Sequence, residues 1–113
     1  KYTAALEGHN NIIAPSICDI CDCHVFHQYT LRIIDADRNG LMQHLLDKGI
    51  PCAIYYPIPL HSQKAYADAR YKEEDFPVTN QLVKEVISLP MHTELDDEQI
   101  KFITDSILEF LNK

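Results

Sequence analysis

The stretch 24-HVFHQYTLRII-34 decides how the rest of the chain is read. Val25, His27, Tyr29, Leu31 and Ile33 alternate with Phe26, Gln28, Thr30 and Arg32. Side chains of an extended strand point to opposite faces with a period of two. The stretch therefore predicts a strand with one buried and one mixed face. His27 falls on the buried face, where a hydrogen-bonded structural histidine is expected before a functional one.

Working toward the C-terminus, Asp37 is placed to cap a helix over about 38–48, with Leu41, Met42 and Leu45 at helical spacing and Gly49 just past its end. Gly40 in the first turn weakens that helix slightly. His44 falls on its surface. Ile50 to Tyr56 predicts a second short strand, stopped by Pro57. Residues 57–76 read as irregular, with a helical turn near 63–67. Phe76-Pro77 opens a helix carrying Val78, Leu82, Val83, Val86 and Ile87, and Ser88-Leu89-Pro90 ends it in a short strand. The last helix is the best signed. Asp96 and Gln99 have capping-box spacing, Leu95 and Ile100 make a hydrophobic staple, and Ile103, Ile107, Phe110 and Leu111 continue the buried face. These elements predict an α/β (α+β) fold: a short three-stranded sheet with helices packed on one face. Such a sheet leaves its other face and its edges open, which suits a domain that docks on another body.

Working toward the N-terminus, residues 1–23 read as a lead-in and 24–113 as the domain proper. Tyr2 to Gly8 resembles the end of a helix, broken by Asn10, Asn11 and Pro15. The chain starts at Lys1 without an initiator Met, as a piece of something longer would. A length of 113 residues predicts one domain with a core of its own. A net charge of −7 excludes a general nucleic-acid binder. No apolar run approaches membrane-spanning length, and no signal-peptide pattern opens the chain. The four cysteines, Cys18, Cys21, Cys23 and Cys52, accordingly read as reduced cytoplasmic thiols. Cys18, Cys21, Cys23 and His24 resemble a zinc knuckle, but a second Cys pair is missing. Thiols in a loop are the preferred reading.

Catalytic signatures are few. No phosphate-cradling glycine loop or nucleophile elbow occurs. Asp96, Asp97 and Glu98 are explained by capping and the helix dipole, and His92 by a turn. The exception is 55-YYPIPLHSQ-63. Pro57 and Pro59 stiffen it. Tyr55 and Tyr56 offer flat apolar area with a hydroxyl at the tip, and His61 follows. Composition alone fits two roles equally: a plug of Tyr55, Ile58 and Leu60 on the sheet, or the wall of a binding site.

The runs 24-HVFHQYTLRI-33, 49-GIPCAIYYPIPLHSQKAY-66 and 76-FPVTNQLVKEVISLPMHTELDDEQI-100 resemble the DegT/DnrJ/EryC1/StrS family of nucleotide-sugar aminotransferases, over its C-terminal small domain. The resemblance implies the small domain of a fold-type I, pyridoxal-phosphate-dependent enzyme. It implies transfer of an amino group from glutamate to a keto-sugar nucleotide, in a homodimer, supplying amino sugars to surface polysaccharide. The Schiff-base lysine and the cofactor site belong to the large N-terminal domain, so this chain alone is expected to bind no cofactor and not to transaminate. Tyr55, Tyr56 and His61 are the implied substrate-binding residues at the mouth of the active site. Many members carry His-Tyr-Pro where this chain has Tyr55-Tyr56-Pro57, which makes Tyr55 a candidate for sugar choice. The P-x-PLH-x-Q form resembles the branch acting on 3-keto sugars. Competing readings are a non-catalytic interaction module, a sugar dehydratase relative and a small zinc module.

Overall fold

A computed structural model describes residues 1–17 and 24–112. In chain order the elements are α1 (Tyr2–Leu6), β1 (Ile12–Ile13), β2 (Tyr29–Ile33), α2 (Arg38–Asp47), α3 (Pro77–Glu85), β3 (Val86–Leu89) and α4 (Asp97–Leu111). Three single 3-10 turns, at Leu60–Ser62, Lys64–Tyr66 and Glu73–Asp75, punctuate the long connection from α2 to α3. The sheet is antiparallel throughout, in the order β1-β2-β3. Ile12 faces Ile33, and Tyr29, Leu31 and Arg32 face Leu89, Ile87 and Val86.

The three-stranded α/β arrangement matches expectation, but one strand comes from other residues and the other two have shifted bounds. The strand expected over 24–34 begins only at Tyr29. Phe26 has φ +44, which an extended strand cannot contain, and its N–H donates to His24 Nδ1 at 3.0 Å in a local turn. Val25 and His27 are therefore exposed, and His27 is no core histidine. The strand expected over 50–56 reduces to one bridge, Ala53 opposite Ser88. The third strand is instead Ile12–Ile13, within residues 1–23, which pairs with β2 at the opposite edge of the sheet. The helix expected to include Val86 and Ile87 stops at Glu85, and these β-branched residues form β3 instead. Arg38 makes that change of direction fast to α2: its guanidinium donates to Val83 O at 3.2 Å and Val86 O at 2.7 Å.

Tyr29, Leu31 and Ile33 bury one face of β2, with Ile87 and Leu89 beside them. Tyr2 and Leu6 of α1, Leu41 and Leu45 of α2, and Ile103 and Ile107 of α4 complete that core. Burial of these aliphatic side chains, each contributing about 1.5–3 kcal/mol, is the main favourable term. His44 lies half-buried beneath α4 rather than on an open surface, its ring 5.4 Å from Phe110. On the opposite face of β2, Arg32 Nε donates to Glu85 at 2.9 Å. Gln81, and after it Arg32, hold the Glu85 carboxyl below the usual carboxylate range. Val78, expected on the buried line of α3, is instead exposed. No helix among the described residues is long and apolar enough to cross a membrane. Cys18, Cys21 and Cys23, three of the four supposed zinc ligands, lie outside the described residues.

Candidate functional site

The chain leaves the sheet at Ala53, whose N–H donates to Ser88 O at 3.1 Å and whose carbonyl accepts from Ser88 N at 2.7 Å. Tyr55 and Tyr56 follow, edge to face with ring centroids 6.0 Å apart. Tyr55 is 49% and Tyr56 74% exposed, and Ile58 and Leu60 are 53% and 60% exposed. Side chains this open do not plug the sheet, so the plug reading fails. They form a projecting aromatic segment, kept stiff by Pro57 and Pro59.

Two hollows flank this segment. Tyr55 and Tyr56, with Leu60, Leu82 and Val83, line one of about 440 Å³ against α3. Tyr55 also borders a hollow of about 580 Å³ on the sheet side, with His27, Cys52, Ser88 and His92. Tyr55 is thus the residue shared by both, while Tyr56 belongs to the α3 side alone. The Cys52 thiol donates to Met42 O at 3.7 Å, and burial pushes its pKa up. That is the setting of a structural thiol rather than a nucleophile.

His61 sits differently from its neighbours in the sequence. It stacks nearly parallel on Phe76, with centroids 4.4 Å apart and planes 17° apart. It lines a third hollow, of about 490 Å³, with Leu60, Tyr66, Tyr71 and Thr79. Its Nε2 is shielded and makes no hydrogen bond among the described residues. The structure brings Tyr55 and Tyr56 to one hollow and His61 to the next, with Leu60 and Thr79 between. Sequence reading missed His27 and His92 as neighbours of Tyr55. It missed the ring cluster of His61, Phe76 and Tyr71 too. The one signal available for the cluster was the recurrence of aromatics through 66–76, in an otherwise polar connection.

Among the described residues no lysine is buried. Lys1, Lys48, Lys72 and Lys101 pair with Asp97, Glu109, Glu74 and Asp105.

Comparison with known proteins places this geometry in context. The model of the DegT/DnrJ/EryC1/StrS aminotransferase family matches residues 1–108. A "Pleiotropic regulatory protein" of Geobacillus stearothermophilus is 44% identical over 77% of this chain and 23% of its own length. A UDP-N-acetyl-3-dehydro-alpha-D-glucosamine 3-aminotransferase of Acidithiobacillus ferrooxidans is 42% identical over 79% of this chain and 23% of its own. The crystal structure of S. venezuelae DesV, in complex with a ketimine intermediate, superposes with a TM-score of 0.88. It is 29% identical and covers 99% of this chain and 29% of its own. The chain thus spans about a quarter of the length of the curated relatives it matches.

Proposed function

The chain belongs to the DegT/DnrJ/EryC1/StrS aminotransferase family, and from that premise we propose that it is the C-terminal small domain of a nucleotide-sugar aminotransferase. The observation that carries the proposal is the 42% identity to a sugar 3-aminotransferase that devotes only 23% of its length to the matched region. The acceptor is a 3-keto nucleotide sugar and the donor is glutamate. The P-x-PLH-x-Q form of the loop and the name of that relative both support the 3-keto position. The aminated product is an amino sugar of the kind used in surface polysaccharide.

Pyridoxal phosphate, when bound, supplies the electron sink through which nitrogen passes between substrates. Among the described residues no lysine is buried and four sit in ion pairs, which does not fit the group's attachment through a desolvated amine. We assign its anchoring to a large N-terminal domain, and no cofactor-holding role to the described residues of this chain. What this chain contributes is position. The Tyr55 and Tyr56 rings give flat apolar area against the sugar nucleotide, and their hydroxyls give hydrogen bonds at its polar edge. Standing on a proline-stiffened segment, they lose little conformational entropy when the substrate arrives.

The deciding experiment offers the intact enzyme matched 3-keto and 4-keto nucleotide sugars with glutamate. Amination of the 3-keto compound at least tenfold faster is expected. Preference for the 4-keto compound sinks the positional assignment, and amination of neither sinks the reading as a whole.

A further inference from the structure

Tyr55 and Tyr56 project into solvent, yet a substrate wall must hold still. No hydrogen bond among the described residues joins 54–67 to the rest of the chain. Ser62 N reaches Pro59 O, Gln63 N reaches Leu60 O, Gln63 Nε2 reaches Ile58 O, and Tyr66 N reaches Gln63 O, all within the segment. Its near end is fixed by the Ala53–Ser88 bridge. Midway along, it meets the body of the domain at the His61–Phe76 stack.

Phe76 is a firm footing. It is the N-cap of α3, its N–H donates to Glu73 O at 3.1 Å, and its carbonyl accepts from Asn80 N at 3.0 Å. The Asn80 amide donates to Glu73 O as well, at 2.6 Å. Pro77 follows at the first helical position, and Tyr71 packs on the Phe76 ring at 6.1 Å. Between Tyr56 and His61 stand Pro57 and Pro59, which allow little φ freedom. With φ fixed at two of the four intervening residues, part of a displacement of His61 is passed along the segment to the tyrosines.

We infer that His61 and Phe76 are positioning residues: their ring stack ties the 54–63 segment to the start of α3 and so sets where Tyr55 and Tyr56 stand. The inference rests on the reading that these tyrosines meet the nucleotide sugar. It gives His61 a role through its flat ring and not through its nitrogens, consistent with a shielded Nε2 that has no hydrogen-bond partner among the described residues.

The test compares His61→Ala, His61→Phe and Phe76→Ala in the intact enzyme. Both Ala variants are expected to raise KM for the nucleotide sugar about tenfold and to leave KM for glutamate within twofold. His61→Phe keeps a stacking ring and is expected to stay within about threefold of wild type. Equal damage from His61→Phe and His61→Ala overturns the inference, because the imidazole nitrogens are then what matters. So does an equal rise in KM for both substrates, or a rise for neither. Where an Ala variant does not fold, His61→Leu and Phe76→Leu keep apolar volume without a flat stack and carry the same comparison.

A second readout needs no substrate. The 1H–15N heteronuclear NOE of Tyr55 and Tyr56 is expected to drop in His61→Ala and to hold in His61→Phe. An unchanged NOE in His61→Ala overturns the anchoring. An NOE loss in an enzyme that aminates no nucleotide sugar leaves the anchor standing and sinks only the functional reading.

Discussion

Gly40 shows how a single position can be set by a distant one. A Cβ built there would meet Asp37 Oδ2 at 2.5 Å and Phe110 Cζ at 3.0 Å. Asp37 is the cap of α2, accepting from Gly40 N at 2.9 Å through Oδ1. Gly40→Ala gains up to about 1 kcal/mol of helix propensity. Against that it disturbs a cap worth about 1 kcal/mol and overfills a contact at a cost of about 1–3 kcal/mol. A net destabilisation of about 1–3 kcal/mol is expected, read as a lower urea midpoint at unchanged m-value. The sequence makes Gly40 look like a weak point of a helix, because Phe110 lies seventy positions away. At the wall, Tyr56→Phe in the intact enzyme removes one hydroxyl and keeps the ring. A loss of about 1 kcal/mol, roughly fivefold in kcat/KM for the nucleotide sugar, is expected, with glutamate use unchanged. Equal losses for both substrates would remove Tyr56 from the wall.

At the scale of elements, local chemistry decides what is legible. The N-terminus of α4 is written in four residues. Gln99 N donates to Asp96 Oδ1 at 2.7 Å, and Asp96 N donates to Gln99 Oε1 at 3.1 Å, as the capping-box spacing predicts. Asp96→Ala is expected to cost about 1 kcal/mol, and Asp96→Ser to restore most of it, both measured by urea unfolding. β1 is the opposite case. Two residues, Ile12 and Ile13, carry no period, and only pairing with Ile33 and Arg32 makes them a strand. The first half of β3 was hidden for a related reason, whereas Ser88-Leu89 reads as strand. Val86 and Ile87 continue the helical spacing of Val83, and what turns the chain is the Arg38 guanidinium on the Val83 and Val86 carbonyls. The candidate wall was legible as a stiff aromatic segment because prolines act locally. Its division between Tyr55–Tyr56 and His61 was not, because Phe76 makes it.

At the scale of the whole molecule, the N-terminal helix is bound to the sheet by a tyrosine pair whose ionisation is coupled to folding. The Tyr2 hydroxyl donates to Pro90 O at 3.0 Å, just beyond β3. The Tyr2 ring lies 5.0 Å from that of Tyr29 in β2, and Tyr29 Oη shares a 2.7 Å hydrogen bond with Thr3 Oγ1. Burial, and after it the neighbouring Tyr29, push the Tyr2 pKa from 10.0 up to about 12. Burial raises that of Tyr29 too, with the hydrogen bond to Thr3 opposing. In the unfolded chain Tyr2 ionises near its ordinary value of about 10. Above that pH the unfolded state has lost a proton that the folded state still holds, so stability falls as pH rises. Below about pH 10 both states are protonated and Tyr2 gives no pH dependence. The loss therefore runs from about pH 10 to about 12, at up to about 1.4 kcal/mol per pH unit. Tyr2→Phe forfeits the bond to Pro90, about 1 kcal/mol at neutral pH. It also removes the proton, so its stability is expected to decline less steeply than that of wild type between pH 10 and 11.5. Urea midpoints across that range are the measurement. Parallel declines would mean that Tyr2 is not the group linking α1 and β3 to alkaline unfolding, and Tyr29→Phe would then be the variant that flattens the curve.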